Sequence, residues 1–296
     1  MISLLKQLKD PGRAAFGAYE LFDPALLLKP ADVPDDYIAY NPSSIHTVKG
    51  ADGVARDIMY VRVEPNRSDA ATSHLGKSVV RPYIINPRDL GVPLAPYYGA
   101  TEYTGEDAAL TRVNRKLPGG KLEKVWLFSY VDPQPEVGRP NRVQTLCTRF
   151  FAGADLNHLE HVADGPEWMK DIRVAPFIDE SLLPIGGGTW GGVNDVIKVS
   201  AGKYILAAHR AWTVDPQGFA RHYESVLYGH DVAAKSIIEL GVLATSDMFP
   251  AGKAKDASDA DLSDVVFTGG GYNGTLEFMS FGVRDGSVGV GRVRRV

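Results

Sequence analysis

The sequence predicts an all-β fold, a five-bladed β-propeller that takes residues 1–296 as one domain. Two observations predict it. First, one pattern recurs about five times at a spacing of roughly 40–50 residues, the signature of blades repeated around an axis. A carboxylate or amide precedes a short strand, a turn follows, and a second strand returns. Second, the strand runs alternate apolar and polar residues and are separated by glycine-rich punctuation, which suits tight hairpins because glycine reaches positive φ cheaply.

The units follow in order. Asn41 precedes Ser-Ser-Ile-His-Thr-Val-Lys, with Asp57-Ile-Met-Tyr-Val-Arg-Val-Glu64 as partner. Glu106-Asp107 precedes Ala-Ala-Leu-Thr-Arg-Val, and Lys124-Val-Trp-Leu-Phe-Ser-Tyr-Val131 follows. Asp171 precedes Ile-Arg-Val-Ala-Pro-Phe; this third unit lacks a clear second strand, so it is abbreviated or the repeat register differs there. Asn194-Asp195 precedes Val-Ile-Lys-Val, and Lys203-Tyr-Ile-Leu-Ala-Ala-His209 follows. Asp264 precedes Val-Val-Phe-Thr, and Thr275-Leu-Glu-Phe-Met-Ser-Phe-Gly282 follows. Residues 1–40 read as a lead-in segment packed on the propeller: a short helix over 3–9, then irregular chain set by Pro24, Pro30 and Pro34. The stretch 251–264 reads as a solvated loop before the last unit.

A hydrophobic fraction of 44% supports a real core, and the net charge of −4 offers no basic field for nucleic acid. The apolar run at the N-terminus is too short for a signal peptide and no segment approaches a membrane span, so a cytoplasmic protein without a membrane partner is expected. The single cysteine, Cys147, cannot form an internal disulfide and reads as an inert thiol in a strand. His158 and His161, near Asp155 and Glu160, read as a turn and surface strand rather than a metal site. The glycine triplets at 186–188 and 269–271 lack the spacing of a nucleotide-binding loop.

In a propeller, matching positions of each unit converge on the axis. Asn41, Arg62, Glu64, Glu106, Asp107 and His209 would then share one funnel. Carboxylates and amides bind sugar hydroxyls in pairs, because each hydroxyl both donates and accepts. Cations beside them would suit a phosphate oxyanion. Considered singly, each residue has a structural alternative: Glu106-Asp107 as a turn, His209 as a packed strand end, and Lys or Arg as solvated charge.

Asn41-Pro42, Arg62-Val-Glu64, Gly105-Glu106-Asp107 with Thr111-Arg112-Val113, and Lys170-Asp171 resemble the motifs of the five-bladed mannoside phosphorylases of glycoside hydrolase family 130. From residue 38 to the end the chain more closely resembles a propeller family long without assigned function. That family includes the protozoan β-1,2-mannosyltransferases and phosphorylases of glycosyltransferase family 108. Met169-Lys-Asp-Ile-Arg173, Trp190-Gly-Gly-Val-Asn-Asp195, His209, Arg221-His-Tyr223 and the run Leu262 to Gly270 carry this second likeness.

The resemblance implies an inverting transfer of mannose between β-1,2-linked mannooligosaccharides and inorganic phosphate, giving mannose 1-phosphate, with Asp107 as proton donor. To serve as an acid near neutral pH, Asp107 is expected to feel Glu106 and partial desolvation. The resemblance further implies substrate contacts from Asn41, Arg62, Glu64, Glu106, Asp171, Asn194, Asp195 and Tyr272, and phosphate contacts from His209, Lys170 and Arg142. Asp171 and Asp195 could instead cap the starts of strands. No cofactor is implied; phosphate is a co-substrate, and a nucleotide sugar such as GDP-mannose is an alternative donor. Ala108-Ala109 stand where the phosphorylases carry Pro-Arg, which removes one ligand contact. Two other readings stay open: an inverting hydrolase with Asp195 as second carboxylate, and a propeller that binds carbohydrate without reacting.

Overall fold

The computed structural model describes residues 14–68, 78–117, 119–136, 139–162, 172–173, 188–214, 220–252, 254, 256–257 and 261–296. For residues 67–68, 134–136, 139–147, 172–173 and 256–257 it describes the backbone alone. The fold is all-β, with sheets arranged as in a propeller.

The described residues form four large antiparallel sheets. Sheet one runs Tyr37–Tyr40, Ala55–Pro65, Val79–Ile85 and Ala95–Pro96; His46–Lys49 also pairs with Ala55–Pro65, and Tyr103–Thr104 with Val79–Ile85. Sheet two runs Glu106–Lys116, Leu122–Glu136, Arg139–Gly153 and Glu160–Val162. Sheet three runs Trp190–Ser200, Lys203–Thr213, Arg221–Asp231 and Ser236–Ala244. Sheet four runs Val266–Tyr272, Thr275–Val283, Ser287–Arg295 and, outermost, Tyr19–Leu26.

Two expectations need correction. The lead-in segment is not wholly irregular: Tyr19–Leu26 pairs antiparallel with Ser287–Arg295 and completes the last sheet. Pro24 is tolerated because the ladder is interrupted between Phe22 and Ala25, where Asp23 takes φ 49°. The blade count among the described residues is four, where the repeats lead one to expect five. Ile172–Arg173, expected to open a third unit, instead pairs with Glu106–Lys116 of sheet two. The rest of that unit, with the glycines at 186 and 187, lies outside the described residues, as does the helix expected over 3–9. The backbone of Cys147 lies in the strand Arg139–Gly153.

Each sheet buries side chains on both faces, which explains why every residue from Ile58 to Val63 is buried despite the alternation. Leu110, Trp126 and Phe128 of sheet two pack on Ile58, Tyr60 and Val80 of sheet one. Met59, Val61 and Tyr83, on the opposite face of sheet one, pack on Phe278, Val288 and Val290 of sheet four. The other face of sheet four, through Met279 and Phe281, meets Ile205, Ala207 and Leu227 of sheet three. The spatial order is therefore two, one, four, three.

The first strands of the sheets meet at the centre. Ile45 N–H donates to Gly271 O (3.1 Å), Gly271 N–H donates to the Asp195 carboxylate (2.9 Å), and His46 Nε2 lies 2.9 Å from Leu110 O. Among the described residues, no helix is long and apolar enough to cross a membrane.

Candidate active site

Alternate residues of a strand share a face, so Arg62 and Glu64 of Ala55–Pro65 point the same way. Glu64 is 2% exposed and fixes the arginine: Arg62 Nε and Nη2 donate to its Oε2 at 3.1 and 2.8 Å. Tyr40 Oη–H donates to Glu64 Oε1 at 2.6 Å, and the Ser78 hydroxyl donates to Oε2. The guanidinium also lies over the Tyr40 ring, 5.1 Å from its centroid. Arg62 then reaches into sheet two, with Nη2 2.9 Å from Glu106 Oε1 and Nη1 3.4 Å from Asp107 Oδ1. Burial opposes its charge, but Tyr40 and the three carboxylates hold its pKa well above the ordinary value. Three carboxylates thus share one guanidinium.

Asp107 is aimed by an irregularity in its strand. Val131 stands opposite Glu106 and Ser129 opposite Ala109, so Asp107 and Ala108 together face Tyr130. This is a β-bulge, and it turns the Asp107 side chain out of the ladder. Asp107 takes φ 43°, a left-handed conformation that aspartate and asparagine tolerate better than most residues. Gly105, at φ 155°, brings the chain against Tyr130, where a Cβ would lie 2.3 Å from the ring.

Asn41 is also left-handed (φ 45°) and lies in the gap between Tyr37–Tyr40 and His46–Lys49. Its Nδ2 donates to Asp107 Oδ1 at 3.0 Å. Gly282 leaves room for it; a Cβ there would lie 2.1 Å from Asn41 Oδ1. Both Asp107 bonds to described residues fall on Oδ1, and its side chain is 31% exposed, against 5% for Arg62.

Sheet three supplies the facing wall. The pairing of Trp190–Ser200 with Lys203–Thr213 slips between Val193 and Asp195, which puts Asn194 in a bulge. His209 Nδ1–H donates to Asn194 Oδ1 at 2.8 Å. Its ring stacks with Tyr223 (centroids 6.0 Å, 19° between planes) and packs on Phe267 (4.8 Å). Burial pushes the His209 pKa down to about 4, against the upward pull of the nearby Asp107 charge. At neutral pH the imidazole is therefore uncharged, and with Nδ1 protonated its Nε2 is an acceptor.

Burial pushes the Tyr223 phenol up, and the charges of Asp285 and Asp107 push it the same way. Asp285 also acts on Tyr40. It occupies the Arg284-Asp285 turn of sheet four, where both residues are left-handed (φ 56° and 45°). Asn41, Arg62, Glu64, Glu106, Asp107, Asn194 and His209 are thus brought close together. Tyr40, Ser78, Trp190, Tyr223, Phe267 and Asp285 border this cluster without having been selected from the sequence. Trp190, Tyr223 and Phe267 stood in motifs already noted, and Asp285 did not.

Other candidates lie elsewhere. Asp195 is buried: Oδ1 accepts from Val196 N–H (2.8 Å) and Oδ2 from Gly271 N–H (2.9 Å), and burial pushes its pKa up to about 6. Asp195 stands midway along Trp190–Ser200, so the bond from Gly271 ties sheet three to sheet four and neither bond caps a strand start. Tyr272 Oη–H donates to Asp57 Oδ1 at 3.0 Å. Asp57 lies five positions before Arg62 on the same strand, about 17 Å along it, which puts Tyr272 at the opposite end of the axis. Lys170 and Asp171 lie outside the described residues, as does the side chain of Arg142. Arg112 lies over the Trp126 ring at 4.8 Å. His158 pairs with Asp155 at 3.0 Å, and no group of three metal-binding side chains occurs among the described residues.

A family model described as a protein of unknown function, DUF1861, matches residues 175–287. No curated protein matches the chain. Among solved structures, the chain is similar to MPT-4, a mannose phosphorylase from Leishmania mexicana solved with a phosphate ion. The TM-score is 0.67 and the identity 21%, over 99% of this chain and 94% of that one. MPT-1, a GDP-Man-dependent mannosyltransferase from the same organism, gives a TM-score of 0.67 at 19% identity, over 100% and 94%. A hypothetical protein from Leishmania major gives 0.64 at 19%, over 94% and 91%. At these identities the likeness is one of fold.

Proposed function

We propose that this chain transfers mannosyl residues between β-1,2-linked mannooligosaccharides and inorganic phosphate, with inversion, and that Asp107 delivers the proton. The observation that carries this reading is the setting of Asp107. A bulge turns it into the funnel, Asn41 and Arg62 hold its Oδ1, and His209 lies within its electrostatic reach. Likeness of fold to a mannose phosphorylase and a mannosyltransferase supports the reaction class.

In phosphorolysis a phosphate oxygen attacks the anomeric carbon as the bond to the leaving sugar breaks. The leaving oxygen takes a proton that Asp107 supplies through a sugar hydroxyl. The products are mannose 1-phosphate and a shortened oligosaccharide, and the reverse reaction elongates the chain. With Oδ1 occupied, Oδ2 is the oxygen suited to pass the proton. Phosphate needs no general base, whereas a hydrolase needs a second carboxylate to activate water. Asp195, the candidate for that role, has both oxygens on backbone amides, which favours phosphate as nucleophile.

Glu64 and Glu106 fix Arg62, and Asn41, Asn194 and the exposed edge of Asp107 offer contacts to sugar hydroxyls. Neutral His209 accepts at Nε2 from the P–OH of hydrogen phosphate; Lys170 and Arg142 remain the proposed cationic partners of phosphate, and Asp171 a sugar contact. GDP-mannose is retained as an alternative donor.

The test is incubation with β-1,2-mannotriose and phosphate. The expected product is mannose 1-phosphate, with the rate lowered about 10²–10⁴-fold in Asp107→Asn. Free mannose released independently of phosphate would make the protein a hydrolase. Absence of turnover with both phosphate and GDP-mannose systems would leave a binding propeller.

A further inference from the structure

Trp190 opens the first strand of sheet three and is 39% exposed, an unusual setting for so large an apolar ring. It is not loosely held. Its indole N–H donates to the Tyr223 hydroxyl at 3.3 Å, and the two rings meet edge to face at 84° with centroids 6.0 Å apart. The next residue, Gly191, lies so close to the neighbouring strand Lys203–Thr213 that a Cβ would fall 2.2 Å from the His209 carbonyl oxygen. Trp190 pairs with Ala211, so it stands on a strand and not on a loop. Tyr223 stacks on His209, and His209 packs on Phe267. Four rings therefore form one wall from the rim into the funnel, and the charge of Asp107 acts on the middle two.

An indole with its N–H hydrogen-bonded and more than a third of its surface exposed is suited to a ligand that is apolar on one side and polar at its margin. A pyranose ring fits that description: its C–H groups can lie on the indole while its hydroxyls meet the polar rim. We propose that Trp190 is the stacking platform for a second sugar ring, the one that leaves in phosphorolysis and accepts in synthesis. This inference rests on the proposed mannosyl transfer at Asp107. It makes Trp190 a determinant of acceptor affinity, apart from the donor sugar and phosphate held deeper in the funnel.

The reverse reaction separates the two roles. Mannose 1-phosphate serves as donor and β-1,2-mannobiose as acceptor, with kcat and KM measured for each. In Trp190→Ala the acceptor KM is expected to rise about tenfold, the loss of one stacked ring, while the donor KM stays near wild type. Trp190→Phe should recover part of the acceptor affinity. Equal shifts in both constants, or none in either, would overturn the platform and leave Trp190 as a packing partner of Tyr223. A wild-type protein that transfers no mannose fails the functional reading and leaves the stacking of a sugar ring on Trp190 as the part still to be decided. Tryptophan fluorescence then decides: quenching by β-1,2-mannobiose in the wild type but not in Trp190→Phe upholds the platform. Identical responses, or none, overturn it.

Discussion

Asp107 and Asp195 are two aspartates that occupy like places in two sheets and do opposite things. Each lies on a first strand, Asp107 near its start and Asp195 midway along, beside a register slip that frees a side chain from the ladder. At Asp107 the slip turns the carboxylate toward Asn41 and Arg62, with about a third of its surface open. At Asp195 the carboxylate turns inward and accepts two backbone amides, one of them from sheet four. A bulge can therefore display a carboxylate or use it to join sheets; what decides is the group waiting across the interface.

The sharpest test of the difference is activity. Asp107→Asn should keep the fold and lose about 10²–10⁴-fold in mannosyl transfer, whereas Asp195→Asn should keep most of it. Equal losses in the two would mean that Asp195 also serves the reaction.

The next effect concerns acid stability. Asp195 titrates near 6 in the fold against an ordinary 3.8, so between those values the folded chain holds a proton that the unfolded chain releases. Its contribution therefore declines as pH rises through that window, by on the order of 3 kcal/mol. His209 and His46 are both held near 4 by burial, against an ordinary 6.5. The unfolded chain takes up their protons first, so their contribution is present above 6.5 and lost as pH falls toward 4. The three groups oppose one another between pH 6 and 4. Asp195→Asn should steepen the acid loss measured by urea unfolding at several pH values. An unchanged slope would show that the Asp195 carboxylate is not desolvated.

A smaller effect tests the support behind Asp107. Gly282→Ala would push on Asn41, whose Oδ1 lies 2.1 Å from where the new Cβ would stand. Displacing Asn41 removes one of the two holds on Asp107 Oδ1, and kcat should fall about tenfold or more. Wild-type kinetics in that variant would make Asn41 dispensable. The smallest effect is expected from Tyr40→Phe, which removes one hydrogen bond to Glu64 while Arg62 and Ser78 remain. A loss of about 1–2 kcal/mol in unfolding free energy is expected, with a modest change in rate.

Much of this site could be read before any coordinates. Asn41, Arg62, Glu64, Glu106, Asp107 and His209 sit beside strand runs whose period of two is plain, and a repeat of sheets brings such positions together. The divergence of Asp107 and Asp195 could not be read. Both stand just ahead of alternating residues, and the amide that claims Asp195 belongs to Gly271, 76 residues away. Tyr272 was misjudged for a similar reason: strand direction decides which end of the axis a residue reaches, and repeat spacing does not reveal it. Asp285 was hidden because Asp-Gly is so strong a turn signal that no further role suggested itself. The outermost strand of sheet four was obscured by Pro24, which normally argues against a strand and here falls where the ladder is broken.

That outermost strand has a kinetic consequence. Residues 19–26 find their partner only after residues 287–295 have been made, so the last sheet stays open through nearly the whole of synthesis. Asn41 leaves the ribosome early and Asp285 very late. A nascent chain can thus hold three sheets and still lack the one whose Gly282 and Asp285 stand beside Asn41 and Tyr40.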